Sequence, residues 1–425
     1  NEPMFTGNGF LGQGTNIETV KRVYNQYLTT QLLGAQTSAS SMESYTAQIS
    51  QINNLLSDTS TGLSPALNGF FSGLNDLAAA PASIPSRQAF LSDAQSLVSR
   101  LNALDQRINE VRFGVNTQID SEVGQINAYA QQIADINQRI LIAQAAGSSQ
   151  PANDLLDQRD QLISDLNKEI RVTVVPQTDG SYSIFMGTGQ LLVTGNQASK
   201  LVAQPDQYDA FRTVVAMQPP TGSPFVLPDN QLVGGVLGGL VAFRNESLDT
   251  SQNALGRLAL TLAQSFNDQH KLGQDLTGAL GGDFFKTPAP QVMSSTNNPL
   301  PEVAINVSVK DIGALTTSDY QLISHGGGNY DLLRVSDNTL LLSNGPLPAM
   351  IDGLAIQPAS NAPNGASYLI RPTRSAASDL DIAIKDPRNI AVAAPIRTGA
   401  ALDNKGTATI SAGAVSGVNT TAAPL

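Results

Sequence analysis

The string FLSDAQSLVSRLNALDQRINEVRFGV, residues 90–115, decides how this chain folds. Its apolar residues Phe90, Ala94, Leu97, Leu101, Leu104, Ile108, Val111 and Val115 are separated by steps of 4, 3, 4, 3, 4, 3 and 4. That alternation keeps one seam of an α-helix facing a partner. The steps become 4 and 4 at Ile119 and Val123, as in a stutter that changes the supercoil without breaking the helix, and the stripe resumes through Ile126, Ile133, Ile136 and Ile140. No proline follows Pro85 before the turn residues beyond Ala146, so one helix over Ser83–Ala146 is expected. At 1.5 Å per residue it spans roughly 90 Å, more than a compact domain needs. Helices of that length belong to rods and assemblies.

Outward from this helix the periodicity changes twice. Asn16 to Leu56 reads as helix, with Tyr27, Met42, Tyr45, Ile49, Ile52 and Leu56 on its stripe; Ser38–Ser41 leaves open whether it is unbroken. A short amphipathic helix follows, with Ser64 and Pro65 as N-cap and first residue and Leu67, Phe70, Phe71, Leu74 and Leu77 on one face. Gly147–Pro151 is a turn, and Asn153–Asn167 is a helix returning antiparallel to the long one. From Ile170 the period falls to 2. Strands are expected near 171–175, 181–185, 190–193, 211–216 and 225–227, with turns at Asp179-Gly180 and Gly187–Gly189. Leu240–His270 returns to helix, burying Leu248, Leu255, Leu258, Leu262 and Phe266 alongside Ala94–Ile140. Strands at 303–309, 320–324, 330–335, 339–342, 353–356 and 367–371 follow, and Thr398–Leu425 holds one strand near 407–411 or is disordered.

The expected fold class is therefore α+β and multidomain: an elongated long-helix bundle, interrupted by a β domain and followed by a second β-rich domain. Residues 1–170 and 236–283 form a discontinuous helical domain, 171–235 the β-rich insertion, 284–395 the second β-rich domain, and 396–425 a truncated or flexible tail.

Composition removes several function classes. The 425 residues carry a net charge of −11 with no basic run, which argues against nucleic acid as a partner. There is no cysteine, so disulfides, thiol catalysis and thiolate metal sites are excluded. No apolar run is long enough for a membrane span, and the opening NEPMFTGNGF is no cleaved signal peptide. Charged residues are only 14%, and a surface of Ser, Thr, Asn, Gln and Gly suits contact with like subunits.

The motifs read as structural. Gly7-Asn-Gly9-Phe-Leu-Gly12 matches G-x-G-x-x-G, but the preceding strand and following helix of a dinucleotide site are missing. Asp154, Asp157 and Asp160 lie on one polar helix face without the glycine of a calcium loop, and Arg159 is expected to pair within that helix. His270, with Lys271 and Gly273, reads as the C-terminal end of a helix. Ser324-His325 before Gly326–Gly328 reads as a hairpin tip. No catalytic, cofactor-binding or metal-ligating residue is assigned, and no cofactor is expected.

Two blocks resemble a known family. NDLLDQRDQLISDLN at 153–167 closely resembles the helix before the β insertion in the flagellar hook-associated protein 1 family. GGVLGGLVAFR at 234–244, Leu255–Ala259, Phe266–Gly273, Asp275–Gly278 and Gly282–Phe285 look like its next block. The resemblance covers at least Asn16–Pro395. It implies a non-enzymatic, extracellular flagellar subunit, exported without a cleaved signal peptide, that joins hook to filament by self-assembly through helical seams. The implied partners are the hook protein, the next hook-associated junction protein and copies of itself. An export chaperone would bind a C-terminal part that this sequence does not contain. The family's heptad-rich ends, and the helix after its last β region, are also not found, which implies a junction subunit lacking its polymerising ends. Two rivals remain: an outward-facing adhesion module, favoured by an exposed patch of Tyr320, Tyr330 and Tyr368, and a hydrolase built on His270 or His325.

Overall fold

A computed structural model describes residues 4–5, 10–11, 25–57, 62–145 and 152–394, with Thr407 and Val415 as isolated positions. The expected turn at 147–151, the start of the first helix at 16–24 and the strand or disorder near 407–411 lie outside these stretches. The short strands β1 (Met4–Phe5) and β2 (Phe10–Leu11) pair antiparallel. Phe10 and Leu11 of the G-x-G-x-x-G segment thus form a strand.

Four helices follow: α1 (Gln26–Ser57), α2 (Leu63–Ala79), α3 (Ile84–Ala145) and α4 (Asn153–Glu169). α3 is one unbroken element of 62 residues. Of its seam residues, Phe90, Ala94, Leu97, Leu101, Ile108, Val115, Ile119, Ile126, Ile133 and Ile140 are all 0% exposed. Seam and burial coincide because a heptad stripe stays on one side of a helix. Val111 departs from this: it is half-buried, and the neighbouring Arg112 is buried instead.

α1 continues through Ser38–Ser41, where the Ser38 hydroxyl donates back to the Gly34 carbonyl at 2.9 Å. Its apolar stripe is buried only towards the C-terminal end, where Ile52 is 1% exposed. Tyr27 and Met42 are 69% and 65% exposed, whereas Thr37 and Gln48 are buried. The contacts are polar: Ser164 Oγ donates to Gln36 Oε1, Asn167 Nδ2 to the Leu33 carbonyl, and Gln48 Nε2 to Gln118 Oε1. Side-chain hydrogen bonds to neighbouring helices thus orient the first part of α1, where the apolar residues Tyr27 and Met42 stay exposed. In α2 the cap also shifts. Gly62 is the N-cap, so Ser64 and Pro65 sit inside the first turn, and Phe71 is 50% exposed while Phe70 and Leu77 are buried.

Strands β3 (Val172–Pro176), β4 (Tyr182–Met186), β5 (Gln190–Thr194) and β6 (Gln197–Ala198) form a four-stranded antiparallel sheet in that order. A second sheet contains β7 (Lys200–Pro205), β8 (Thr213–Gln218) and β9 (Phe225–Val226). β6 and β7 were not among the expected strands. The helical region expected over 240–270 runs on without a gap: α5 (Gly235–Ala242) passes through a π-helical stretch at Phe243–Leu248 into α6 (Asp249–His270). α6 buries Gln252, Asn253, Leu255, Gly256, Ala259, Leu260 and Ala263, and leaves Leu258 38% exposed and Leu262 half-buried. Its face is rotated because Gly256 lies against the Thr373 carbonyl, where an added Cβ would be 1.7 Å away.

The remaining strands are β10 (Phe285–Lys286), β11 (Gln291–Ser294), β12 (Ile305–Val309), β13 (Tyr320–Gly326), β14 (Asn329–Arg334), β15 (Thr339–Pro346), β16 (Ala349–Ile351), β17 (Leu354–Pro358), β18 (Ser367–Arg371) and, after the short helix α7 (Ala376–Asp379), β19 (Asp381–Ile382). They form a five-stranded sheet β11-β18-β13-β14-β15, a three-stranded sheet β12-β17-β16 and the pair β10-β19.

The chain divides into two compact units. One comprises Asn1–Gln48, Asn116–Pro205 and Thr213–Ala242; the other comprises Ile49–Val115, Asp206–Arg212 and Phe243–Leu425. Both α1 and α3 run from one unit into the other. Within the first, α4 runs antiparallel to α3: Arg159 reaches Asn137, and Glu169, ten residues later, faces Glu122. α5 sits close on its neighbours, since a Cβ on Gly235 would be 2.3 Å from the Glu169 backbone and one on Gly239 2.4 Å from the Ser41 carbonyl. Within the second, α6 runs antiparallel to the first half of α3, with Phe90 against Phe266 and Asp105 against Gln252. The expected pairing of 240–266 with the whole stretch 94–140 is thus halved. A helix of 22 residues spans only ~33 Å at 1.5 Å per residue.

Candidate functional site

The second unit contains a buried network of opposite charges, built where the α3 seam changes character. Asp105, Asn109 and Arg112 recur at steps of 4 and 3, a polar stripe beside the apolar one. Arg112 donates through its two terminal nitrogens to Asp249 Oδ1 and Gln252 Oε1. Asp249 opens α6 directly after the π-helical stretch, and it accepts from two further guanidiniums: Arg212 at 2.9 Å and Arg374 at 2.9 Å. Arg374 also donates to Asp319 at 3.0 Å, which accepts from Asn253 Nδ2 as well. Arg371 donates to Asp209 at 2.7 Å and approaches Asp319 at 3.4 Å. Gln252 relays the network to Asp105 and Asn109 through its amide, at 2.8 and 2.9 Å.

The electrostatics follow from this arrangement. Burial pushes the Asp249 carboxyl upward, but Arg374, Arg112 and Arg212 outweigh it and hold the group well below the ordinary carboxylate range. Asp209 behaves likewise, with Arg371 overcoming burial. Asp105 goes the other way: burial outweighs the hydrogen bonds from Gln252 and Asn109, and its carboxyl is raised. Charges buried in this manner must be paired, because a lone one costs several kcal/mol. The network borders a cavity of about 410 Å³, lined by Arg112, Arg371, Arg374, Asp105 and Asp209 and by the exposed rings of Phe113 and Phe211.

The residues singled out from the sequence lie elsewhere. His270 is buried among the rings of Phe266 and Phe284; its Nδ1–H donates to the Gly282 carbonyl at 2.7 Å and its Nε2 accepts from the Ala391 N–H at 2.8 Å. Both ring nitrogens are engaged by backbone, so it serves packing. His325 pairs with Asp331 at 2.9 Å beside the hairpin turn of β13 and β14, whose Gly326, Gly327 and Gly328 have φ of 77°, 65° and 89°. Arg159 is buried; it donates to Asn137 Oδ1 and the Gly180 carbonyl and lies 3.4 Å over the Tyr182 ring, so it ties α4 to α3 and to the turn before β4. Tyr320, Tyr330 and Tyr368 are 0%, 0% and 1% exposed, so the aromatic patch that would have favoured adhesion is core. Among the described residues no three His, Cys, Asp or Glu side chains are grouped to hold a metal ion, and no helix is long and apolar enough to cross a membrane.

Nothing with the geometry of a nucleophile and an oriented base converges here; the network can clamp segments together and offer a donor-rich cavity. Sequence reading missed it. The polar stripe on α3 was the available signal, but its partners lie up to 147 residues away, at Gln252 from Asp105.

Comparison with known proteins agrees with the fold. Residues 49–285 match the family model of the flagellar hook-associated protein FlgK helical domain, and residues 293–372 match that of the flagellar hook-associated protein 1 D2-like domain. The chain is 36% identical over 389 residues to flagellar hook-associated protein 1 of Salmonella typhimurium, covering 91% of this chain and 70% of that protein. It is 35% identical over 389 residues to the Escherichia coli protein of the same name, with the same coverage. The solved flagellar hook junction protein FlgK of Burkholderia pseudomallei superposes with a TM-score of 0.77 at 36% identity, over 85% of this chain and 66% of that one.

Proposed function

The chain belongs to the flagellar hook-associated protein 1 family, and from that premise we propose that it is a structural subunit of the bacterial flagellum that joins hook to filament. The observation that carries this reading is the 36% identity across 91% of the chain, which includes the whole α3 spine and the buried ion network. A junction subunit transmits load, and an uninterrupted 62-residue helix is suited to that. Its apolar seam is covered within the subunit, while polar, weakly charged faces remain for neighbours. Contacts repeated around an axis then build a layer.

Its partners on this reading are the hook protein, the next hook-associated junction protein and further copies of itself, with an export chaperone serving the full-length protein. It works outside the cell as part of the flagellum, and it catalyses no reaction.

The test is deletion and complementation in a flagellated bacterium that encodes the full-length protein. Cells without it should carry hooks but few or no filaments, with filament subunits lost to the medium, and the full-length gene should restore filaments. Normal filament number in the deletion strain would remove the junction role.

A further inference from the structure

The helical run from Gly235 to His270 carries a π-helical stretch, Phe243–Leu248, between α5 and α6. A π turn closes its hydrogen bonds from i to i+5, one residue beyond the α spacing, and it occurs mostly as a single-turn insertion inside an α-helix. Irregularities in helices commonly sit at Pro or Gly. This stretch reads FRNESL and has neither. Its cause lies in what holds the helix on either side.

Both flanks are fixed in rotation. On α5, a Cβ on Gly235 would lie 2.3 Å from the Glu169 backbone, and one on Gly239 2.4 Å from the Ser41 carbonyl. On α6, a Cβ on Gly256 would lie 1.7 Å from the Thr373 carbonyl. Asp249 is gripped by Arg112, Arg212 and Arg374, and Asn253 donates to the Thr317 carbonyl and to Asp319. A slip of one residue moves a helix ~1.5 Å and turns it by about 100°. On either flank that would drive a side chain into a backbone that only glycine can approach.

The spacing agrees. The buried stripe from Leu237 through Leu248 and Leu255 to Ala263 advances in seven steps of 3 or 4 and takes 26 residues. Seven α-helical turns take about 25 at 3.6 residues per turn. The run has one residue to spare, and the π stretch stores it. Asn245 within the stretch accepts from Arg212 at 2.6 Å, the same guanidinium that grips Asp249 at its exit.

We infer that Phe243–Leu248 is a yielding turn: it holds one residue more than an α-helix needs, stays open because neither flanking helix can slip, and gives way before the α-helical turns beside it. Bending or stretching of this run is then absorbed at 243–248, ahead of the ion clamp on Asp249.

Hydrogen exchange and deletion test this in the full-length protein. Amides of residues 243–248 should exchange about tenfold faster than those of 238–242 and 253–260, as local opening of a weak turn requires. Deleting Glu246, which is exposed, should close the stretch into α-helix. The thermal midpoint should then equal or exceed the parent's, and exchange in the stretch should slow to that of its flanks. Deleting the exposed Thr261 from α6, where no residue is spare, should lower the midpoint. Exchange at 243–248 no faster than in the flanks of the parent would overturn the inference. So would a Glu246 deletion that fails to fold, melts no higher than the Thr261 deletion, or keeps fast exchange in the stretch. The junction role would stand in each case.

Discussion

Arg112 on α3 and Asp249 at the start of α6 form an ion pair at the position where the apolar seam of α3 lapses, with Val111 half-buried and the Arg112 side chain 10% exposed. The pair couples two helices that a purely hydrophobic seam could not hold in register, because apolar contacts are non-directional. Arg212 and Arg374 converge on the same carboxylate, so Asp249 joins α3, the 206–212 segment and the chain after β18.

Replacing Asp249 with Asn should therefore be among the most damaging single changes. It leaves three guanidiniums facing a neutral amide, and breaking a buried pair by removing one partner costs about 3–5 kcal/mol. Urea unfolding should show the loss as a lowered midpoint. A change below about 1 kcal/mol would mean that water already solvates these arginines and that the network does not clamp. The same carboxylate adds an acid dependence. Its folded pKa lies well below the ordinary value of 3.8, so its contribution is fully present above that value and is lost as the pH falls through the folded pKa.

Two glycine substitutions should move in opposite directions. Gly256→Ala places a methyl 1.7 Å from the Thr373 carbonyl, a backbone atom that cannot swing aside. α6 would have to shift, at a cost of ~1–3 kcal/mol or more. Gly34→Ala in α1 meets nothing within 4 Å, and in a helix it should stabilise by about 0.5–1 kcal/mol. Thermal melts of the two variants decide it, and a neutral Gly256→Ala would mean α6 and the Thr373 strand end are not in close contact.

The contrast between α3 and α1 shows what the sequence could convey. On α3 the heptad stripe and the buried face coincide because a long run of apolar residues leaves one way to hide them. On α1 the apolar positions Tyr27 and Met42 face solvent, while Gln48 is buried and donates to Gln118 on α3. Such partners are invisible to local periodicity. β7 and β11 were missed for a related reason: their pairing with β8 and β18 defines them as strands more than any alternation does. The ion network was illegible because Arg112, Asp209, Asp249, Asp319 and Arg374 meet only after the chain has folded. The polar stripe at Asp105, Asn109 and Arg112 marked a site, but not its partners.

His270 should make stability fall on mild acidification. Burial lowers its pKa from the ordinary 6.5, outweighing the Gly282 carbonyl, which accepts from the ring and works to raise it; the neutral ring also accepts from the Ala391 N–H. Protonation would turn the accepting nitrogen into a donor facing an N–H. The unfolded chain binds the proton more readily, so this contribution is present above 6.5 and declines as the pH falls towards the folded pKa. His270→Gln should flatten that part of the stability–pH curve and lower stability at neutral pH. An unchanged slope between pH 7 and 5 would show that the ring is not held neutral.

Glu122 should act with the opposite sign. Burial, reinforced by the adjacent Glu169 carboxyl, raises its pKa from 4.5 to about 7. A carboxyl with a raised folded pKa binds its proton more tightly in the native state than in the unfolded chain. Its contribution is therefore largest below 4.5 and is lost as the pH rises to about 7. Glu122→Gln mimics the protonated form at every pH, so the variant should be more stable than the parent at pH 8 and about equally stable at pH 4. The mutation acts on α3 beside the end of α4, and His270 is untouched, so each slope can be read against a parent that retains the other. Chemical denaturation of the parent and the variant at pH 4, 6 and 8 gives the comparison directly. If Glu122→Gln lowered stability at pH 8, the ionised carboxyl would have to be making a favourable contact there, and burial reinforced by Glu169 could not be what raises its pKa.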